Sequence, residues 1–142
     1  MDAYEFFHEI VVPNCDEALR EPYKLRLAWN AIVSLNTVPE FVALDRLGYK
    51  IDVDRGLLDS KADEIRKSYL ALVSLNHEAI KLKHVRRLPR KQNEPLSSLN
   101  SSTSNEISAP TSAELIKTIT DALQLFRNVK EFPELSPINR TV

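Results

Sequence analysis

At 142 residues with 43% hydrophobic content, the chain is long enough for one packed core, and a domain near this size buries about two thirds of its unfolded surface. Two glycines against eight prolines argue against a sandwich or barrel, which needs glycine at many tight turns; one cysteine excludes an internal disulfide and a zinc site built from several cysteines. The net charge of −1 conceals a segregation: residues 1–60 carry 11 acids and 6 bases, residues 61–92 carry 3 and 9, and the remainder 6 and 4.

These features predict an all-α protein, a bundle of four to six helices in a single domain over 1–130, with a disordered Ser/Asn/Pro-rich insert at 88–111 and a flexible tail at 131–142. Asp2 can cap a first helix carrying Tyr4, Phe6, Phe7, Ile10 and Val11. Pro13 breaks or bends it. A short continuation to Arg20 brings Ala18 and Leu19 to one side, and Glu21-Pro22 ends the unit, because a residue before proline avoids helical angles. Pro22 can then open the next helix.

Leu25, Ala28, Trp29, Ile32, Val33 and Leu35 recur at the three and four spacing of one buried stripe, which predicts the central core helix. Pro39 interrupts it, and Thr37-Val38-Pro39-Glu40 has capping-box spacing. A new helix is therefore expected from Thr37, with Phe41, Val42, Leu44 and Leu47 inward and Gly48 as its left-handed stop. Residues 49–58 read as a connector whose Asp52, Asp54 and Gly56 fall short of a calcium loop.

From Asp59 or Ser60 to about Arg87 there is neither glycine nor proline, and Ile65, Tyr69, Leu70, Leu72, Val73, Ile80 and Val85 are the apolar positions of one long helix, or of two meeting near Leu72–Asn76. Residues 88–111 are too polar to offset their ordering entropy by burial. Thr111-Ser112-Ala113-Glu114 is a second capping box. It launches a helix with Leu115, Ile116, Ile119, Ala122, Leu123, Phe126 and Val129 on one stripe, after which Pro133 and Pro137 mark a frayed tail.

The start of the chain lacks the basic and apolar runs of a signal peptide, and no stretch approaches the roughly 18 apolar residues of a membrane span. A cytoplasmic protein without membrane association is expected. His77 and His84, seven apart on one helix, lie about 10.5 Å apart along its axis at roughly 1.5 Å per residue, too far to clamp one metal. With only His8 elsewhere, no metal and no cofactor are expected.

Cys15 near His8 lacks a third partner for nucleophilic chemistry, and Trp29, Phe6, Phe7, Phe41 and Phe126 suit a core better than a ligand cage. Asn30, Asn36 and Asn76 each face solvent or meet a hydrogen bond within the bundle. Lys81, Lys83, His84, Arg86, Arg87, Arg90 and Lys91 put six full positive charges in eleven residues. Such a helix end is either a solvated terminus, its cations meeting the helix dipole, or a binder of RNA or DNA phosphate through Lys81, Lys83, His84, Arg86 and Arg87.

Tyr4-Glu5-Phe6-Phe7, Val12-Pro13-Asn14, the run Arg26-Leu27-Ala28-Trp29-Asn30-Ala31-Ile32-Val33-Ser34-Leu35-Asn36, and Lys83-His84 together resemble a group of small bacterial helical proteins of unassigned function. That group is similar in layout to HEPN-type domains, helical bundles found in toxin–antitoxin and RNA-cleaving systems. The resemblance covers residues 4–87. Active HEPN ribonucleases carry an arginine four to six residues before a histidine; here the nearest before His77 is Arg66, ten residues intervening, and none lies between Arg66 and His84. The resemblance thus implies the fold, with His84 as the one matched position and a weak catalytic candidate. The function expected is action through a protein partner or homodimer surface, in a defence or toxin–antitoxin-like setting; the alternative is nucleic-acid binding or weak RNase activity at Lys83-His84.

Overall fold

The computed structural model describes residues 1–48, 55–87 and 111–137, with the side chains of 83–87, 111 and 112 outside the described set. The described residues are all-α, with no strand among them, as the composition predicts. Among the described residues six α-helices follow one another: α1 (Ala3–Phe6), α2 (Val12–Arg20), α3 (Leu25–Leu47), α4 (Arg55–Ser68), α5 (Leu70–Arg87) and α6 (Thr111–Phe126). A π-turn, Phe7–Val11, joins α1 to α2, and a single 3-10 turn, Pro133–Leu135, follows α6. The predicted insert as far as residue 110 and the calcium-like Asp52 and Asp54 lie outside the described residues, while Thr111, its last position, already opens α6.

Asp2 caps α1 as expected, its carboxylate accepting from the Glu5 N–H at 2.8 Å. Pro13 does not break the helix. Its ring would crowd the carbonyl four residues back, and the chain widens just upstream, where the Val12 N–H reaches the Phe7 carbonyl five residues away. Through the wider turn, Ala3, Phe7, Val11, Cys15 and Ala18 stay on one buried stripe, while Ile10 and Leu19 are left partly exposed.

The turn after α2 differs from expectation. Pro22 lies outside any helix, and α3 begins at Leu25 behind an extended Lys24 with no side-chain cap. Pro39 also fails to interrupt: α3 runs unbroken to Leu47, and Thr37 Oγ1 donates back to the Val33 carbonyl at 2.8 Å instead of capping a new helix. Gly48, at φ 83°, is the left-handed stop.

By length and composition α3 could cross a membrane, contrary to the sequence expectation, with a mean hydropathy of 1.2 over its most apolar window. Here it is the helix against which α1, α2, α4, α5 and α6 all pack. Leu27, Ala28, Ala31, Ile32, Leu35, Val38, Val42 and Ala43 are all buried and take up about half of its circumference, with Arg26, Asn30 and Glu40 on the other half.

The long helical stretch divides at Tyr69, earlier than the expected Leu72–Asn76, and α4 begins four or five residues sooner than expected, at Arg55. The Tyr69 carbonyl accepts from both Leu72 and Val73 at 3.0 Å, opening α5. Its ring lies 5.4 Å from Phe132 and its hydroxyl donates to Glu131 at 2.6 Å. Helix α6 packs Leu115, Ile119, Ala122, Leu123 and Phe126 inward, while Val129, beyond its end, is 43% exposed.

The segment after α6 is not a frayed tail as far as Ser136. Phe132, Leu135 and Ser136 are buried, and Phe132 meets Phe126 edge to face at 5.0 Å. Arg46 of α3 pairs with Glu134 and donates to the Glu131 carbonyl, and His8 in the π-turn donates Nε2–H to the Leu135 carbonyl at 2.8 Å. One short segment thereby ties down the π-turn, α3, the start of α5 and the end of α6.

Candidate functional site

Two regions of α5 hold the groups that sequence reasoning singles out. The first is its basic end. Lys81 is exposed and paired with Glu78 at 3.6 Å, one turn back. The backbone of Lys83, His84, Arg86 and Arg87 completes the last turns of α5, so these residues ride on a helix as expected, but their side chains lie outside the described residues, as do Arg90 and Lys91 altogether.

The second is the middle of α5, where Asn76 and His77 stand. Asn76 faces inward and its Oδ1 accepts from Asn36 Nδ2 of α3 at 3.1 Å, which realises the bundle-bond reading of those two asparagines; Asn30 is exposed. Arg66 of α4 joins the same cluster. Its Nη2 donates to the Asn36 carbonyl at 2.7 Å and approaches Glu40 at 3.4 Å, and its Nη1 donates to Asp63 at 3.2 Å.

Pro39 leaves the Leu35 carbonyl, four residues back, without its helical donor and crowds that turn of α3; the Arg66 fork lands one residue further on, as an added donor to the Asn36 carbonyl. Arg66, the nearest arginine before His77 in sequence, is thus committed to α3. It can be read in the sequence only through its place four after Ala62 and three before Tyr69, on the inward edge of α4.

The outward side of α5 leaves three apolar side chains in solvent beside the polar Ser74, His77 and Lys81. Leu70 is 83% exposed, Val73 45% and Ile80 56%, with His77 exposed between the last two. The apolar positions predicted over this stretch therefore divide: Ile65 and Leu72 point into the core with Leu75 and Ala79, whereas Leu70, Val73 and Ile80 point out. The exposed set has spacing 3, 4 and 3, which is the seam of a helix that pairs with another helix. Val73, His77 and Ile80, with Ser74, Asn76 and Glu78, border a shallow depression of about 350 Å³.

The remaining candidates are structural. Cys15 is fully buried and burial pushes its thiol up to about 12, while His8 turns away to Leu135; the two form no nucleophilic pair. Phe7 and Phe126 are core, and Phe6 stacks on Phe41 with ring centres 4.2 Å apart. Among the described residues no group of three or more His, Cys, Asp or Glu side chains is placed to hold a metal ion.

No protein-family model, curated protein or solved structure matches the chain.

Proposed function

We propose that this protein is a cytoplasmic helical module that acts through a protein contact made by the outer face of α5. One observation carries this reading: three of the large apolar side chains left in solvent fall on one line of one helix, at pairing spacing, while the opposite side of that helix is buried core. Apolar residues exposed singly are ordinary on any surface. A row of them with a histidine completing the register is a contact in waiting.

The HEPN-like layout enters the proposal as a layout only, together with the defence or toxin–antitoxin-like setting it implies. A photo-crosslinking residue in place of His77, compared with one in place of the exposed Glu17 on α2, tests the contact in cells. Adducts of definite mass at position 77 and none at position 17 support the reading. None at either position removes it.

The nucleic-acid reading keeps one observation in its favour, that α5 extends to Arg87 and carries Lys81, Lys83, His84, Arg86 and Arg87 on helical backbone. Binding to short RNA or DNA that falls steeply between about 50 mM and 200 mM salt, and is lost in Lys83→Ala/His84→Ala, is its expected signature. RNA cleavage lost in the same variant would extend it to a weak RNase.

A further inference from the structure

The end of the bundle far from Phe132 brings two basic segments to one level. Helices α3 and α5 run antiparallel: Asn36 bonds Asn76 at 3.1 Å, and Arg46 and Tyr69 both meet Phe132, the guanidinium 5.9 Å and the tyrosine ring 5.4 Å from its ring. From the Asn36–Asn76 bond, the start of α3 at Leu25 is 11 residues back and the end of α5 at Arg87 is 11 residues on. Each lies about 16 Å along its helix at roughly 1.5 Å per residue, and in the same direction. The end of α5, with Lys83, His84, Arg86 and Arg87 in its last five positions, therefore comes level with the first turn of α3.

The turn that leads into α3 stands at this end too. In Glu21-Pro22-Tyr23-Lys24 the Lys24 N–H donates to the Glu21 carbonyl at 3.1 Å, with proline at the second position, where a tight turn favours it. The Lys24 ammonium pairs with the Glu21 carboxylate at 2.9 Å, so the turn is closed twice and its one acid is matched. Tyr23 stands at the tip, 89% exposed, the most exposed large apolar side chain among the described residues. Arg20 precedes it, its Nε donating to the Asp16 carbonyl at 3.3 Å, and the exposed Arg26 follows it.

One exposed tyrosine is ordinary on a surface. A ring on a closed turn, with a cation three residues before it and another three after, level with a second basic run, fits single-stranded nucleic acid: phosphates follow the charge, and an unpaired base stacks on the ring. Leu19 and Leu25 beside it are each more than half covered, so the tip offers a flat face for stacking and little apolar wedge for a lipid surface. Asp16 and Glu17, one turn back on α2, repel a phosphate strand from that side. The direction left to the strand is toward α5.

We propose that single-stranded nucleic acid binds this end of the bundle, with one base stacked on Tyr23 and the neighbouring phosphates held by Arg20 and Arg26 beside the basic end of α5. The proposal rests on the nucleic-acid reading of the α5 end and adds to it the α2–α3 turn and the strandedness of the ligand. It is independent of the contact on the outer face of α5.

Fluorescence anisotropy reads it with a labelled strand of about 12 nucleotides, offered as RNA, as DNA and as DNA duplex, to wild type, Tyr23→Ala, Tyr23→Phe and Lys83→Ala/His84→Ala. Tyr23 is exposed, so both of its variants are expected to keep the wild-type melting temperature. Tyr23→Ala is expected to weaken single-strand binding about 5- to 150-fold, the range for removing one base–aromatic stack. Tyr23→Phe keeps the ring and should bind as wild type does. The slope of affinity against salt should be the same in Tyr23→Ala, which loses no phosphate contact. Duplex, its bases already stacked, should bind wild type and Tyr23→Ala alike, and a preference between the RNA and DNA strands names the source of the ligand.

Tyr23→Ala that holds the single strands as tightly as wild type overturns the proposal, as does wild type that binds vesicles containing phosphatidylserine and neither strand. If Tyr23→Ala is unchanged while Lys83→Ala/His84→Ala loses binding, the nucleic-acid reading stands and the stacking site is wrong. If wild type binds no strand even at about 50 mM salt, both are wrong.

Discussion

Arg66 is where a single side chain matters most. Its side chain is 13% exposed, and its fork donates to the Asn36 carbonyl of α3. Arg66→Met keeps most of the volume and removes the fork, so the Asn36 carbonyl loses its buried donor. The expected loss is about 1–3 kcal/mol in urea unfolding, the usual range for a buried group left unpaired. The same cluster already holds two buried polar atoms without a hydrogen-bond partner, Asn36 Oδ1 and Arg66 Nε. Asn36→Leu should therefore cost less than the arginine substitution, because it removes an unpaired oxygen together with the Asn76 bond.

Cys15 gives a second test at this scale. Burial raises its thiol to about 12, so the folded protein holds it protonated and shielded at neutral and mildly alkaline pH. A thiol reagent at pH 8 is expected to find no reactive cysteine in the native protein and one in urea. Rapid native-state labelling would show that α2 opens locally far more readily than its buried stripe implies.

At the scale of elements, Gly48 ends α3 at φ 83°, and among the described residues nothing stands within 4 Å of where a Cβ would be. Gly48→Ala should cost about 1 kcal/mol, from backbone strain alone, with no repacking. A melt with no change would mean that the α3 terminus relaxes freely.

The elements also mark how far the sequence could be read. The apolar face of α6 was legible and the central stripe of α3 in half, with Ala28, Ile32 and Leu35 buried but Trp29 and Val33 partly exposed and Leu25 40% exposed, because three and four spacing gives the helix and leaves the exact direction of the core to the other helices. Pro13 read as a break or a bend and Pro39 as a break; neither breaks its helix, and Pro13 leaves only the widened turn before it. A proline within a helix costs about 3 kcal/mol locally, and burial of Phe7 and Val11 around one, and of Val38 and Val42 around the other, outweighs it. The division at Tyr69 had no local sign at all. At that point Tyr69 meets a segment 62 residues away, where Glu131 takes its hydroxyl. The outer face of α5 was hidden for a related reason: periodicity says which residues share a side, and only the positions of the other helices say which side is empty. Lys83 and His84 were legible as a helix end and as nothing more.

On the scale of the whole molecule, stability converges on the segment after α6. Phe132 touches Phe126 and Tyr69, lies under the Arg46 guanidinium at 5.9 Å, and is 1% exposed. Phe132→Ala is expected to cost about 3–5 kcal/mol, the range for emptying a buried phenylalanine site. Arg46→Ala, at a partly exposed ion pair, should cost about 1 kcal/mol or less. The reverse ranking in urea unfolding would mean that charge, not packing, fastens the segment.

That fastening sets an order of events during synthesis. The helix that everything surrounds, α3, is complete by residue 47, yet the side chains that cover its far reaches arrive with α6 and with Phe132 and Leu135. Until α6 and Phe132 have left the ribosome, α3 has only α1, α2, α4 and α5 to cover it, and the side that α6 takes stays in solvent. A nascent chain arrested before that point presents one open apolar strip to chaperones, and one arrested after it presents a closed bundle.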